Sequence, residues 1–381
     1  MAEDASSGDE FDDWFIESIK LYNDLHIYEL QHATQVIEWT DEKNVCVAGC
    51  EFLKKNEILQ LSLPQKLYNK DSQGLCPERD FKVEHGGFSE RPVYSLRHIQ
   101  GTSLLVTSGP PDNSLQLWKI GAEDTDVIGL IGSIENRVME NIWSRISVSK
   151  MMSSRVLHGS RVNNIQVTDI ESKMELYKLD SDIIHVVSNL ELLDSNLFLI
   201  CSMHGGLWLA DVRQHPGLIA NATTNQQTST EHWCMGINSF KIGDGFASCK
   251  IATLSSERRI MVKDMRDLKK TLSQAKVSFP RQSLQNSFLC VTWSPVVEEL
   301  LAVSGFDGTV HVYDTSSWNA AEKEVQPLFI HKGHSFSDRG DEAEIPLVTT
   351  HTWCPWKPRT ILSAATDGSF HVWDWADFHT S

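Results

Sequence analysis

The sequence is poor in basic residues, in paired cysteines and in long apolar runs. Lys and Arg number 34 against 51 Asp and Glu, so the 381-residue chain carries a formal charge of −17 at pH 7. Such a chain is repelled at long range by phosphate backbones and by anionic bilayers, which disfavours nucleic acid and membranes as primary partners. None of the eight cysteines forms a CxxC pair. Most sit in apolar runs such as Val45-Cys46-Val47 and Leu289-Cys290-Val291, where a free thiol acts as a small hydrophobe, and a reducing compartment is expected. The longest apolar stretch, Val127 to Ile134, is broken by glycines and is too short to span a bilayer. The acidic start has no apolar leader pattern, so a soluble intracellular protein is expected.

Motifs of chemistry are also missing. No GxxxxGK[ST] loop, GxGxxG element or GxSxG elbow occurs, so no catalytic residue and no cofactor-binding residue is named. Fifteen histidines invite a search for metal ligands. His331 and His334 have workable spacing, but His334 belongs to a repeat pattern described below. His311 and His371 occupy the same position in two repeats, which marks them as repeat residues. Cys46 and Cys50 would stand about 13 Å apart on a strand, too far to share an ion. No metal is expected.

What the sequence does contain is a repeat. Val291-Thr-Trp293-Ser-Pro295 followed by Leu301 to Asp314 reappears as His351-Thr-Trp353-Cys-Pro355 followed by Leu362 to Asp374, with Trp293 and Asp314 each displaced by 60 residues. The pattern reads as strand, turn, strand, tight turn, strand. Asp307-Gly308 and Asp367-Gly368 are hairpin signals, because Gly tolerates positive φ and Asp accepts bonds from nearby amides. In the strand that follows, Val310 and Val312 share one face while His311 and Tyr313 share the other.

Apolar pairs of spacing two recur upstream as Leu59/Leu61, Leu115/Leu117, Ile165/Val167, Leu207/Leu209 and Ile260/Val262. With Val310/Val312 and Phe370/Val372 they make seven copies, whose endpoints differ by 56, 50, 42, 53, 50 and 60 residues. Sheets with apolar residues on both faces cannot stand alone; stacking side by side buries them. The first five copies are degenerate and rest on spacing and periodicity.

The endings Tyr313-Asp314 and Trp373-Asp374, with Gly333-His334 opening the last unit, resemble the WD-repeat family. That resemblance implies an all-β, seven-bladed WD-repeat β-propeller. It also implies a hydrogen-bonded network of His334, Ser363 (or Thr366), Asp367 and Trp373, reduced in the preceding unit to Asp307 and Tyr313. The chain ends soon after Trp375, leaving the last blade one strand short. The segment Leu25 to Leu30 precedes the first repeat and is expected to supply that strand. Residues 1–22 form an acidic segment with a short helix expected from Asp12 onward, and residues 23–381 form the propeller. Trp14 and Phe15 on that helix are read either as rim packing or as partner contacts, and Trp318 as a blade-edge cover or a partner contact. Asn69–Glu90, Gly121–Ser154, His215–His232 and Thr315–Ile345 are read as long connections.

Across nearly its whole length the chain resembles one branch of this family. The resemblance implies a cytoplasmic, non-catalytic scaffold that moves to spindle poles and the cleavage furrow in mitosis. It further implies roles in microtubule organisation and in assembly of the RNA-cleavage module of the Integrator complex, through its paired metallo-β-lactamase-fold subunits. The alternatives are a propeller hydrolase that removes methyl esters from modified proteins, and a ubiquitin-ligase substrate receptor.

Overall fold

The computed structural model describes residues 14, 16, 18, 20–52, 54–64, 80–122, 125–136, 140–149, 154–215, 217–222, 231–238, 249–279, 288–335 and 346–376. The acidic segment 1–13, Phe15 and the charged run 338–344 lie outside them.

The strands group into four-stranded antiparallel units, of which the first six are meanders that follow chain order. The first comprises Thr34–Trp39, Asn44–Gly49, Asn56–Ser62 and Lys82–Ser89; the second, Ser95–His98, Leu104–Ser108, Leu115–Ala122 and Val127–Ile134. A lone parallel bridge, Gly86 to Val127, joins these two units at their outer strands. The third comprises Arg145–Val148, Arg155–Gly159, Gln166–Asp169 and Glu175–Lys178; the fourth, Val187–Leu192, Leu197–Ser202, Leu207–Asp211 and Leu218–Ala222. The fifth comprises Trp233–Ile237, Lys250–Ser255, Arg259–Asp264 and Asp267–Val277, with Glu324–Val325 added at its edge. The sixth comprises Cys290–Trp293, Leu300–Ser304, Val310–Asp314 and Phe329–His331.

The seventh unit joins the two ends of the chain. Val348–Trp353, Thr360–Ala365 and Ser369–Trp375 supply three strands, and Tyr22–Glu29 pairs with the last of them from Tyr22 opposite Trp375 to Glu29 opposite Ser369. The pairing begins three residues earlier than the segment picked out from sequence. It covers an edge that would otherwise expose unpaired backbone groups.

The recurring apolar pairs all fall on or beside third strands, where one face of a unit meets its neighbour. Every buried apolar cluster then bridges two adjacent units. Val45, Val47 and Leu61 of the first unit pack on Leu362, Phe370 and Val372 of the seventh. Leu300, Val310 and Val312 of the sixth pack on Trp353, Ile361 and Trp373 of the seventh. Similar clusters join first to second, second to third, third to fourth, fourth to fifth and fifth to sixth. The arrangement is consistent with a β-propeller, whose core lies between sheets rather than in one centre.

The long connections read from sequence are corrected. Each contains an outer strand: Lys82–Ser89, Val127–Ile134, Leu218–Ala222 and Phe329–His331. The second also contains the inner strand Arg145–Val148. Outer strands face solvent along one side, so they lack a continuous apolar signature; Val83, Phe88, Leu130 and Ile219 are exposed. Gly129, read as a breaker, instead allows close approach, since a Cβ there would meet the Ala122 Cβ at 2.9 Å.

Candidate protein-binding site

In the seventh unit, the Trp373 indole N–H donates to the Ser363 hydroxyl at 3.1 Å, and His334 Nε2 lies 2.8 Å from the same oxygen. His334 Nδ1 contacts the Ser369 hydroxyl at 2.6 Å, and that hydroxyl donates to Asp367 at 2.6 Å. Thr366 stands outside this chain of bonds and accepts from the Leu347 amide. The four family residues are therefore linked through Ser369, which spacing alone did not single out. The two Asp-Gly turns and the Asp112-Asn113 turn share one device. Asp367 accepts from the amide and hydroxyl of Ser369, Asp307 from those of Thr309, and Asp112 from those of Ser114. Gly368 has φ +90°, a conformation that disfavours a side chain.

The sixth unit diverges. The buried Tyr313 hydroxyl meets His311 Nδ1 at 3.0 Å, and His311 stacks on Phe279 with centroids 4.0 Å apart. The indole-to-imidazole route of the seventh unit is thus replaced by a tyrosine-to-imidazole contact and an aromatic stack.

Pairwise spacing missed a cluster of three buried imidazoles: His331, His334 and His371, whose ring nitrogens come within 4.8 Å of one another. His331 bridges the Tyr22 hydroxyl (2.8 Å) and His371 (3.0 Å), while His334 meets two serine hydroxyls. His334 and His371 stack with an interplanar angle of 9° and centroids 3.8 Å apart. In-plane lone pairs on stacked rings point along parallel planes and do not converge on one ion, so this arrangement fits closure of the unit better than metal binding. Burial, reinforced by the neighbouring imidazoles, pushes all three well below the ordinary histidine range. Tyr22 ties the closing strand into the cluster.

The inner strands of the units surround a central cavity of about 550 Å³. His351 bridges the hydroxyls of Thr292 and Ser304, each at 2.7 Å, and the Trp39 and Trp353 indoles donate to carbonyls of Trp353 and Thr292 on adjacent inner strands. Four charged residues line the wall: Glu38, Arg97, Arg145 and Glu191. Arg97 pairs with Glu38 at 3.2 Å. Burial raises the Glu38 carboxyl despite that partner, whereas Arg97 is held above its ordinary value because Glu38 and Glu191 outweigh its burial. Arg145 differs: its guanidinium sits 3.6 Å from the Trp143 ring centroid and its Nε donates to the Val187 carbonyl at 3.3 Å. Burial pushes it down to about 9. The thiols of Cys234 and Cys290 also face this cavity and are raised by burial, Cys290 to about 11, so neither is an activated nucleophile. The wall offers charge and hydrogen bonds to a partner. Sequence alone left these residues unmarked, because each belongs to a different unit.

The aromatic residues proposed as partner contacts divide. Trp14 is helical and 6% exposed, packed among Tyr22, Phe329 and Trp375, which leaves little of it for another protein. Trp318 is half-buried against Tyr313, with ring centroids 6.1 Å apart. Phe15 lies outside the described residues.

A succession of four-stranded meanders with Asp-Gly turns and a His–Ser–Trp link defines a WD-repeat protein. No family model matches the chain. Curated proteins named Integrator complex assembly factor WDR73 from Danio rerio, Homo sapiens and Mus musculus are each 44% identical over 372, 376 and 371 residues. The alignments cover 97% of this chain and 98%, 98% and 99% of those proteins. The chain belongs to the WDR73 family.

Proposed function

We propose that the chain is a non-catalytic assembly factor: a closed seven-bladed propeller that holds protein subunits during Integrator assembly. The observation that carries this reading is the match at 44% identity, over nearly the full length of both chains, to proteins named for that role. Seven successive inter-unit clusters, the last returning to the first unit, support the ring. Within this reading the partners are the paired metallo-β-lactamase-fold subunits of the RNA-cleavage module, and the encounter takes place in the cytoplasm.

Affinity purification of the tagged protein from cytosol, with stoichiometry measured by mass spectrometry, tests the proposal. Recovery of those subunits in near-equal amounts is expected. A folded bait that recovers none of them refutes it. The proposed presence at spindle poles and the cleavage furrow, and with it a role in microtubule organisation, rests on family resemblance alone. Imaging of a tagged protein through mitosis tests it, and a uniform cytoplasmic signal would remove it.

A further inference from the structure

The innermost strands begin at one mouth of the cavity. Arg145, at the start of its strand, bonds to the carbonyl of Val187 at the start of the next, and Thr349 donates to the Thr34 carbonyl at the start of the first. At this mouth Arg145 has no carboxylate partner among the described residues. Other arginines do: Arg91 pairs with Asp112, Arg97 with Glu38, Arg161 with Glu140 and Arg259 with Glu231. An uncompensated guanidinium in a partly desolvated wall is costly unless a counter-charge arrives. Its remaining N–H groups form a planar fork suited to two acceptor oxygens. Trp143 braces the fork from one face. Tyr94 packs edge-on to Trp143 at 5.4 Å, and Phe52, 59% exposed, packs edge-on to Tyr94 at 6.1 Å. An aromatic track thus runs from the cavity to the surface.

We propose that Arg145 anchors a carboxylate carried by a short extended segment of a protein partner, laid along Trp143, Tyr94 and Phe52 into the mouth of the cavity. Glu38 and Glu191 lie farther along their inner strands and act on Arg97. They accept one carboxylate at the mouth but repel a polyanion that reaches inward, and the overall charge of −17 acts in the same sense. A cavity of about 550 Å³ suits a peptide end or turn rather than a folded domain. The inference rests on the reading of the chain as a protein-binding factor and specifies the chemistry recognised.

The test is affinity selection from a pool of random tetrapeptides with free C-termini, and from the same pool amidated, against the full-length protein. Carboxylate-bearing peptides are expected to be enriched, with the enrichment falling at least tenfold in Arg145→Gln. Loss of selection on amidation assigns the terminal carboxylate; persistence of Asp- or Glu-containing peptides in the amidated pool assigns a side chain. If Arg145→Gln melts early, Arg145→Lys carries the test: it keeps the charge, loses the fork, and should give intermediate enrichment. No carboxylate preference, equal enrichment in both variants, or complete displacement by millimolar inorganic phosphate overturns the proposal. Purification of Integrator subunits by the unmodified bait is scored separately. Its success alongside a failed peptide selection removes only the Arg145 site, whereas its failure removes the broader reading.

Discussion

Acid should unfold this protein at a milder pH than carboxylate titration alone would require. Six histidines (His158, His311, His331, His334, His351 and His371) are each at most 2% exposed. All are held below the ordinary imidazole range by burial, His158 and His351 to about 3 and His311 to about 4. They are neutral in the fold, while in the unfolded chain they titrate near 6.5. Unfolding therefore takes up protons below that value. The stability contribution is fully present above about pH 6.5 and is lost as pH falls toward the folded values. At pH 5.5 each site contributes a loss of about 1.4 kcal/mol, so six remove about 8 kcal/mol, comparable with the whole stability of an ordinary domain. Glu38 opposes this, because its raised carboxyl protonates earlier in the fold, but it is a single group against six. Urea unfolding followed by tryptophan fluorescence from pH 8 to 5 gives the slope directly. Near pH 6, uptake of about four to five protons is expected, with a cooperative acid transition between about pH 5 and 6. His351→Gln should reduce that uptake by somewhat less than one proton. An uptake below about two protons, or a native signal retained at pH 4.5, would refute the assignment of these histidines as buried and neutral.

Four further outcomes follow from particular contacts. Deleting residues 24–29 unpairs the last strand and exposes its edge, so the melting temperature should fall sharply; an unchanged melt contradicts closure by the N-terminal strand. Ser363→Ala leaves the buried Trp373 indole and His334 without their shared oxygen, at about 2–4 kcal/mol in denaturant titration, whereas Thr366→Ala should cost less. Trp14→Ala should lower stability by about 3–5 kcal/mol while leaving partner recovery intact in the folded fraction, and selective loss of partners would restore Trp14 as a contact. Cys50 and Cys201 are pushed up to about 12 by burial, so a thiol reagent at pH 7.5, with labelling read at those two sites by peptide mass spectrometry, should modify them far more slowly in the native protein than in the urea-unfolded one. Comparable rates would show that those sites open.

The third strands were legible in the sequence because both their faces pack between neighbouring sheets, so the apolar pair survives even where the turns have decayed. Outer strands escaped for the opposite reason. Lys82–Ser89 and Leu218–Ala222 face solvent, and with the burial constraint removed the alternation goes too. The closing strand was readable from a surplus at one end and a deficit at the other, though its start at Tyr22, whose hydroxyl meets His331, was not.

Local pattern thus determined the repeat and its Asp-Gly turns, since each depends on residues a few positions apart or on one strand's periodicity, while the count of strands at the two ends pointed to their pairing. Only the tertiary structure decided which residues share a site. The imidazole cluster draws on the sixth unit, the seventh unit and the turn between them. The cavity wall takes Glu38, Arg97, Arg145 and Glu191 from four separate inner strands. No spacing rule links such positions, because the distance between them is set by how the sheets pack side by side and not by the chain that joins them.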